Sequence, residues 1–237
     1  MHNHISVVVP AYNEAEMIET CFEALSSQSR QPDVVYVIDN NSTDQTRDVA
    51  EKYDAVVVSE PIQGICAATH AGFEAASQHN GIILRCDADC RPNRDWIEKV
   101  EAIFDANPGA AAVTGPGEAY DVGMIKAALI DFLYMKPYFV FVKFALGRKP
   151  LFGSNFGIRS EAWKHISAST HLRMRQNIHD DIDISYHIKG SILFSEDIKM
   201  PISARPFKSV KSLIKRYAAG FRSILIHWPE QAPWKTW

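Results

Sequence analysis

The first half of this chain predicts an α/β fold, with a mainly parallel, twisted sheet covered by helices on both faces. Three observations carry that prediction. Short, mostly β-branched or aliphatic runs recur at 5–9, 34–38, 55–58, 81–84 and 110–113. Segments with helical hydrophobic spacing lie between them, and polar residues follow several of the runs directly. Strands that alternate with helices of this length imply βαβ units with right-handed crossovers.

The elements follow in order. Residues 5–9 read as a strand buried on both faces. Residues 14–27 carry Met17, Ile18, Cys21, Phe22 and Leu25 at helical spacing. After the run at 34–38, Asn41, Ser42, Thr43 and Asp44 offer N-cap chemistry for a helix through Tyr53. The run at 55–58 precedes an alanine-rich helix over 64–79, and 81–84 ends in Arg85-Cys86-Asp87. Asn93 is expected to cap a helix through Phe104, ahead of the fifth strand at 110–113.

Beyond Gly117 the pattern changes. Residues 124–146 are aromatic and aliphatic without one clean stripe, and 153–158 read as a turn and short strand. A short helix over 180–189, a strand at 192–194 and an amphipathic helix over 208–227 complete the chain. In that last helix Val210, Leu213, Ile214, Tyr217, Phe221, Ile224 and Leu225 are predicted to face inward. With no repeat, low-complexity tract or linker, the expectation is one domain over 1–237, with halves 1–117 and 118–237.

Composition narrows the function classes. Against 28 acidic residues stand 25 basic ones, a net charge of −3, which argues against nucleic acid as partner. Lys126, Asp131, Lys136 and Lys143 interrupt the longest apolar stretch, so no spanning helix is predicted. The opening Met1-His2-Asn3-His4 lacks a signal peptide's charged and apolar regions, and four cysteines are too few for a disulfide scaffold. The expectation is a reduced, cytoplasmic setting. The aromatic stretch 132–144, with Trp228, Trp234 and Trp237, allows peripheral bilayer contact, but core packing or a homodimer face is the favoured reading.

The chemistry is expected at the carboxyl ends of the strands, where open parallel sheets bind ligands. Following the strands there are Tyr12, Asn13 and Glu14, then Asp39, Asn40 and Asn41, then Asp87 and Asp89. Three acidic clusters at one sheet edge repel one another unless a cation compensates, and a divalent metal beside phosphate oxygens is the economical solution. The plainer reading of Asp87-Ala88-Asp89 is a pair of Asx hydrogen bonds before Pro92. Cys86 and Cys90 invite a zinc site but lack a second close pair, so they read as packing thiols.

Taken together, Val8-Val9-Pro10-Ala11-Tyr12-Asn13-Glu14, Val37-Ile38-Asp39-Asn40-Asn41-Ser42-Thr43-Asp44, the segment 64–72 and Asp87-Ala88-Asp89 resemble a family 2 glycosyltransferase. The resemblance implies a GT-A fold and metal-dependent sugar transfer, with inversion, from a nucleotide-sugar donor to a carbohydrate or lipid-linked acceptor hydroxyl. UDP is the default nucleotide, and 1–117 becomes the donor half and 118–237 the acceptor half. Pro10, Ala11, Tyr12 and Glu14 match the first nucleotide-contacting loop, Asp39 the carboxylate directed at the base, and Asn41 lies within that second motif. Gly64 and Gly72 match the helix start near the diphosphate, with close helix–sheet packing as the plainer role. Asp87 and Asp89 match the Mg²⁺ or Mn²⁺ motif, Asp89 as the direct ligand.

His179-Asp180-Asp181-Ile182-Asp183 resembles the family's second acidic motif. Asp181 is then the expected base, and Asp180 replaces the usual glutamate in the acceptor site. Asn155 is a candidate for a sugar hydroxyl, with a plain turn as its alternative. His179 and His187 are weaker candidates as proton shuttles or metal ligands, and Lys215 and Arg216 read first as a solvated helix face. A nucleotidyltransferase would carry a glycine-rich basic loop in place of Pro-Ala-Tyr-Asn-Glu. A non-catalytic nucleotide-sugar-binding module is favoured only by Asp180.

Overall fold

The computed structural model describes residues 3–173 and 177–228. Five strands come from the predicted runs: β1 (His4–Ala11), β2 (Val34–Asp39), β3 (Val56–Ser59), β4 (Gly81–Arg85) and β5 (Ala110–Thr114). Between them lie α1 (Ala15–Ser26), α2 (Thr46–Lys52), α3 (Ile65–Ala76) and α4 (Trp96–Ala106). The later chain supplies β6 (Gly117–Ala119), α5 (Met124–Ile130), a π-helical turn (Asp131–Met135), α6 (Lys136–Leu146), β7 (Phe156–Arg159) and α7 (Ser160–Ile166). It ends with α8 (Asp180–His187), β8 (Ser191–Phe194), β9 (Met200–Ile202) and α9 (Val210–Leu225).

Seven strands form one sheet in the order β3-β2-β1-β4-β7-β5-β8. The expected parallel pairs β1–β2, β1–β4 and β2–β3 are present, with Ala11 opposite Asp39 and Val8 opposite Arg85. Strand β5 does not extend this parallel set directly. The antiparallel β7 is inserted between β4 and β5, a non-local pairing that no local pattern announces. A separate parallel pair, β6 with β9, was likewise not expected.

The connection reverses between β1 and β4, so their carboxyl ends flank the switch point where an open sheet leaves a crevice. Both sheet faces are covered. Ile5, Val7 and Val9 pack toward α1 and α4 residues, and Val8, Ile38 and Ile83 toward α3. A Cβ on Gly72 would overlap Val8 Cγ1 and come within 2.8 Å of Ile38 Cγ1, so this glycine lets α3 lie close on β1 and β2.

Two helix starts differ in detail from the sequence reading. Helix α2 begins at Thr46, whose backbone N–H donates to Asp44 Oδ1 (3.0 Å). Helix α4 begins at Trp96, and the Asn93 side chain donates to the Lys199 carbonyl rather than capping.

The larger correction concerns α9. Its apolar stripe points outward: Val210, Ile214, Tyr217, Phe221 and Leu225 are exposed. The helix is anchored instead by buried Ser223, whose hydroxyl accepts from His179 N (2.7 Å), and by the Arg216 carbonyl, 2.9 Å from His179 Nε2. Much of the apolar surface of α5, the π-helical turn and α6 is also exposed, including Phe132, Leu133, Phe141 and Phe144, so core packing does not account for this stretch. Among the described residues, no helix is long and apolar enough to cross a membrane. Trp234 and Trp237 lie outside the described residues.

Candidate functional site

A cleft of about 820 Å³ opens at the carboxyl ends of β1 and β4. Its lining brings together Pro10, Ala11, Tyr12, Glu14, Gly64, Asp87, Asp89, Asp180 and Asp181, all singled out in the sequence. The loop after β1 is held by the loop after β2. Asn13 N donates to Ser42 Oγ (3.1 Å), Glu14 N to Thr46 Oγ1 (2.8 Å) and Thr43 N to Asn13 Oδ1 (2.8 Å). Asn13 and Asn41 both take positive φ (54° and 63°), a region asparagine tolerates better than most side chains. These bonds leave the Tyr12 ring half exposed over the cleft.

Asn40, which sequence reasoning assigned no role, positions the third wall. Its amide donates to the Glu60 and Ile62 carbonyls (2.8 and 2.7 Å), and its Oδ1 accepts from Gly64 N (2.6 Å). The N-terminus of α3 is thereby aimed at the cleft, with Gly64 at φ 136°. A helix N-terminus so placed favours an anion through its free N–H groups and dipole.

Two arginines missed in the sequence balance the acids. Arg85 is 2 % exposed. Its Nη2 lies 2.9 Å from Asp87 Oδ1 and 3.3 Å from Asp180 Oδ2, and its Nη1 donates to the Gly153 carbonyl. Burial opposes the guanidinium charge, but Asp180 and Asp87 outweigh it and hold the pKa above its ordinary value. Arg205 Nη2 bridges Glu14 Oε1 (2.8 Å) and Asp89 Oδ2 (2.9 Å). A basic residue at the end of a β-strand-like run, in Ser203-Ala204-Arg205-Pro206, was the only signal for it.

The two acidic motifs differ in environment. Asp87 is fully engaged, with Oδ2 accepting from Ser154 Oγ (2.6 Å). Asp89 has its pKa pushed up to about 6, by burial and then by the Asp87 charge, against the opposing pull of Arg205. Asp181 Oδ2 accepts from Gly153 N (2.7 Å) and lies 3.1 Å from the Tyr138 hydroxyl, while Oδ1 accepts from Ile182 N (2.8 Å). Burial raises its pKa, with His179 and Arg85 pulling the other way. Asp180 Oδ2 accepts from Thr69 Oγ1 (2.7 Å) and is ion-paired with Arg85 at 3.3 Å. A Cβ on Gly153 would sit 2.6 Å from Arg85 Nη1 and 3.2 Å from Asp181 Oδ2, so any larger residue there displaces the guanidinium.

The acids fit a hard divalent cation. Asp87 and Asp89 offer oxygens within 4.8 Å of one another, and the Arg205 guanidinium already bridges Asp89 to Glu14 as a cation. Glu14 Oε2 is buried with no hydrogen-bond partner among the described residues. The Cys90 thiol is pushed well up by burial and stays protonated, which leaves an oxygen set suited to Mg²⁺ or Mn²⁺.

Comparison with known proteins gives the family and the fold. The family model for glycosyl transferase family 2 matches residues 6–177, well over half of the chain. The chain belongs to glycosyl transferase family 2. It is 31 % identical over 121 residues to glycosyltransferase AglE of Haloferax volcanii, covering 48 % of this chain and 36 % of that one. To an uncharacterized glycosyltransferase of Mycobacterium tuberculosis it is 38 % identical over 111 residues, 47 % of each chain. The chain thus spans half or less of the length of these curated relatives. Glucosyl-3-phosphoglycerate synthase from Mycobacterium tuberculosis, solved with Mn²⁺, UDP and phosphoglyceric acid, superposes at TM-score 0.64 and 20 % identity, covering 94 % of this chain and 78 % of that one. Staphylococcus aureus TarS 1–349 with UDP superposes at 0.65 and 17 %, covering 94 % and 64 %. The fold of this family 2 chain is accordingly GT-A.

Three residues expected at the donor site of this glycosyl transferase family 2 chain are absent from the cleft lining. Asp39 is buried, with Oδ1 accepting from Ser42 N (3.0 Å) and Oδ2 lying 3.6 Å from Arg47 Nη2. Asn41 donates to the Pro61 carbonyl (2.7 Å) and shapes its turn. Asn155 is fully buried: Oδ1 accepts from Trp96 Nε1 (3.0 Å), and Nδ2 donates to the Ile198 and Pro116 carbonyls (2.6 and 3.3 Å). Its amide is spent on the scaffold, not on a sugar. Conversely, Lys215 and Arg216 line the cleft and are more than a solvated face.

The raised Asp89 carboxyl gives a pH-dependent prediction. Unfolded, it releases its proton near 3.8, and folded at about 6, so between those values the folded state holds more protons and stability falls as pH rises. In metal-free protein, Asp89→Asn is expected to raise the thermal midpoint above pH 6, with the gain vanishing near pH 4. A midpoint difference independent of pH in differential scanning fluorimetry would contradict this assignment.

Proposed function

We propose that this chain transfers a sugar from a nucleoside-diphosphate donor, UDP-linked by default, to an acceptor hydroxyl with inversion, and that a divalent cation is required. The observation that carries the reading is one cleft lined at once by the acids of the Asp87–Asp89 motif, Glu14, the N-terminus of α3 and the acids heading α8. Asp89, with Asp87, would hold Mg²⁺ or Mn²⁺, which when bound neutralises charge developing on the departing diphosphate. The Tyr12 ring offers a stacking surface for the base, Glu14 an acceptor for ribose, and the backbone N–H groups after Gly64 face phosphate.

Asp181 takes the acceptor proton. Its buried carboxylate is more basic than an exposed one, and the Gly153 N–H fixes its orientation. Asp180 is tied to Thr69 and Arg85, so its part is to position Arg85 rather than to accept a second proton. Asp181→Asn is expected to leave UDP binding intact while UDP release from UDP-sugars falls by about 10²–10⁴-fold, the usual span for a general base. Asp89→Ala is expected to abolish the Mn²⁺-dependent thermal stabilisation by UDP. Unchanged turnover in the first variant, or unchanged stabilisation in the second, removes that residue from its role.

We also infer that the acceptor is lipid-linked and met at an anionic membrane surface. Helix α9 supplies Lys215 and Arg216 to the cleft while exposing Val210, Ile214, Phe221 and Leu225. Tyr134 and Tyr138, from the π turn and α6, line the same cleft, and these elements expose Phe132, Leu133, Phe141 and Phe144. Lys208, Lys211, Lys215 and Arg222 accompany the α9 stripe, the charge pattern of a helix lying on anionic lipid. Co-flotation with phosphatidylglycerol vesicles is expected, to be lost in Ile214→Glu/Phe221→Glu. Absence of flotation together with a stable dimer that this double variant splits would assign the face to a second copy.

A further inference from the structure

Beside α8, outside the cleft lining, four side chains converge that the proposed transfer does not use. Asp183 Oδ1 lies 2.8 Å from His171 Nδ1, 3.2 Å from His227 Nε2 and 3.7 Å from His187 Nε2. The two Nε2 atoms of His187 and His227 are 3.4 Å apart, and all four ligand atoms fall within 4.8 Å of one another. Asp183 is fully buried and His227 is 4 % exposed. The residues come from three separate places: the loop after α7, the helix α8 and the turn ending α9.

We propose that His171, Asp183, His187 and His227 form a structural zinc site, separate from the Asp87–Asp89 pair. A tetrahedral zinc with bonds of about 2.0–2.1 Å to nitrogen and oxygen sets neighbouring ligand atoms about 3.3–3.4 Å apart. The four measured separations straddle that value. Three imidazoles and one carboxylate are a closed ligand set with zinc's chemistry, unlike the all-oxygen set in the cleft.

The hydrogen bonds around the cluster orient its lone pairs. His227 Nδ1 lies 2.7 Å from the Ser223 carbonyl, which can only accept, so Nδ1 carries the hydrogen. In the neutral ring, Nε2 then presents a lone pair toward Asp183 Oδ1 and His187 Nε2. Such a convergence calls for positive charge between the lone pairs, which a divalent cation supplies. Asp183 Oδ2 accepts from His171 N (2.8 Å), fixing the carboxylate as outer-shell partners do. The Tyr186 ring stacks on His227 at 3.9 Å between centroids and holds the imidazole plane.

Such a site would pin the end of α9 and the 171 loop to α8, the helix whose first turn carries Asp180 and Asp181. It therefore acts as a clamp on two walls of the cleft and touches no reacting atom.

The test uses the full chain, wild-type and Asp89→Ala, expressed with zinc in the medium and purified without chelators. About one zinc per chain is expected in both by inductively coupled plasma mass spectrometry, with the visible absorption of tetrahedral Co²⁺ after exchange. Chelation should lower the wild-type thermal midpoint, and zinc should restore it. His171→Gln, on a half-exposed loop side chain, should weaken zinc at least by the ~10–100-fold that loss of an outer-shell partner alone costs. Wild-type protein without zinc and without a cobalt band would overturn the site and leave a hydrogen-bonded imidazole–carboxylate network. Zinc lost in Asp89→Ala but kept in His171→Gln would overturn it equally.

Discussion

The arrangement of this molecule depends on one buried guanidinium. Arg85 closes β4, and from there it reaches Asp87 of the first acidic motif, Asp180 of the second and the Gly153 carbonyl between them. Without it, carboxylates nearly one hundred positions apart in the chain would face one another across a poorly solvated cleft. Removing one partner of such a buried network strands the others, typically at a cost of about 3–5 kcal/mol. Arg85 thus converts two mutually repelling motifs into one site. Asp89 and Asp181, the two acids it does not bind directly at short range, keep raised proton affinity, which burial causes first.

Helix α8 is the second organising element. Its first turn presents Asp180 and Asp181 to the cleft, while Asp183 turns toward the three histidines. Successive acids on one short helix face different directions, so charge at the N-terminus serves two places at once. Helix α9 lies against it through Ser223 and the Arg216 carbonyl, sends Lys215 and Arg216 toward the cleft, and turns its apolar stripe away from the protein. The π-helical turn, α6 and α9, which line the cleft, are therefore also elements with exposed apolar surface.

Much of residues 1–117 was legible in the sequence because its information is local. The β-branched runs, the helical spacing of Ile18, Phe22 and Leu25, and Asp87-Ala88-Asp89 each lie within a few residues, and β1–β4 pair as parallel neighbours. What was missed is decided by distant contacts. The antiparallel β7 enters the sheet between β4 and β5, and Arg205 meets Glu14 from 191 positions away. Periodicity identified the stripe of α9 but not its direction, because a hydrophobic face reports that something apolar should cover it, not that the protein does. Asn155 resembled a ligand residue because an amide suits a sugar as well as it suits the Trp96 indole and two backbone carbonyls. His187 was noticed beside His179, whereas its neighbours in space are His171, Asp183 and His227.

The central claim, that Arg85 yokes the two acidic motifs into one site, is tested most directly by a double-mutant cycle in urea unfolding with Arg85→Met and Asp180→Asn. Arg85→Met is expected to destabilise by about 3–5 kcal/mol, and adding Asp180→Asn to return a substantial part of the loss, giving a coupling energy above about 1 kcal/mol. Effects that add to within about 0.5 kcal/mol would mean that the two residues are independent and would contradict the account.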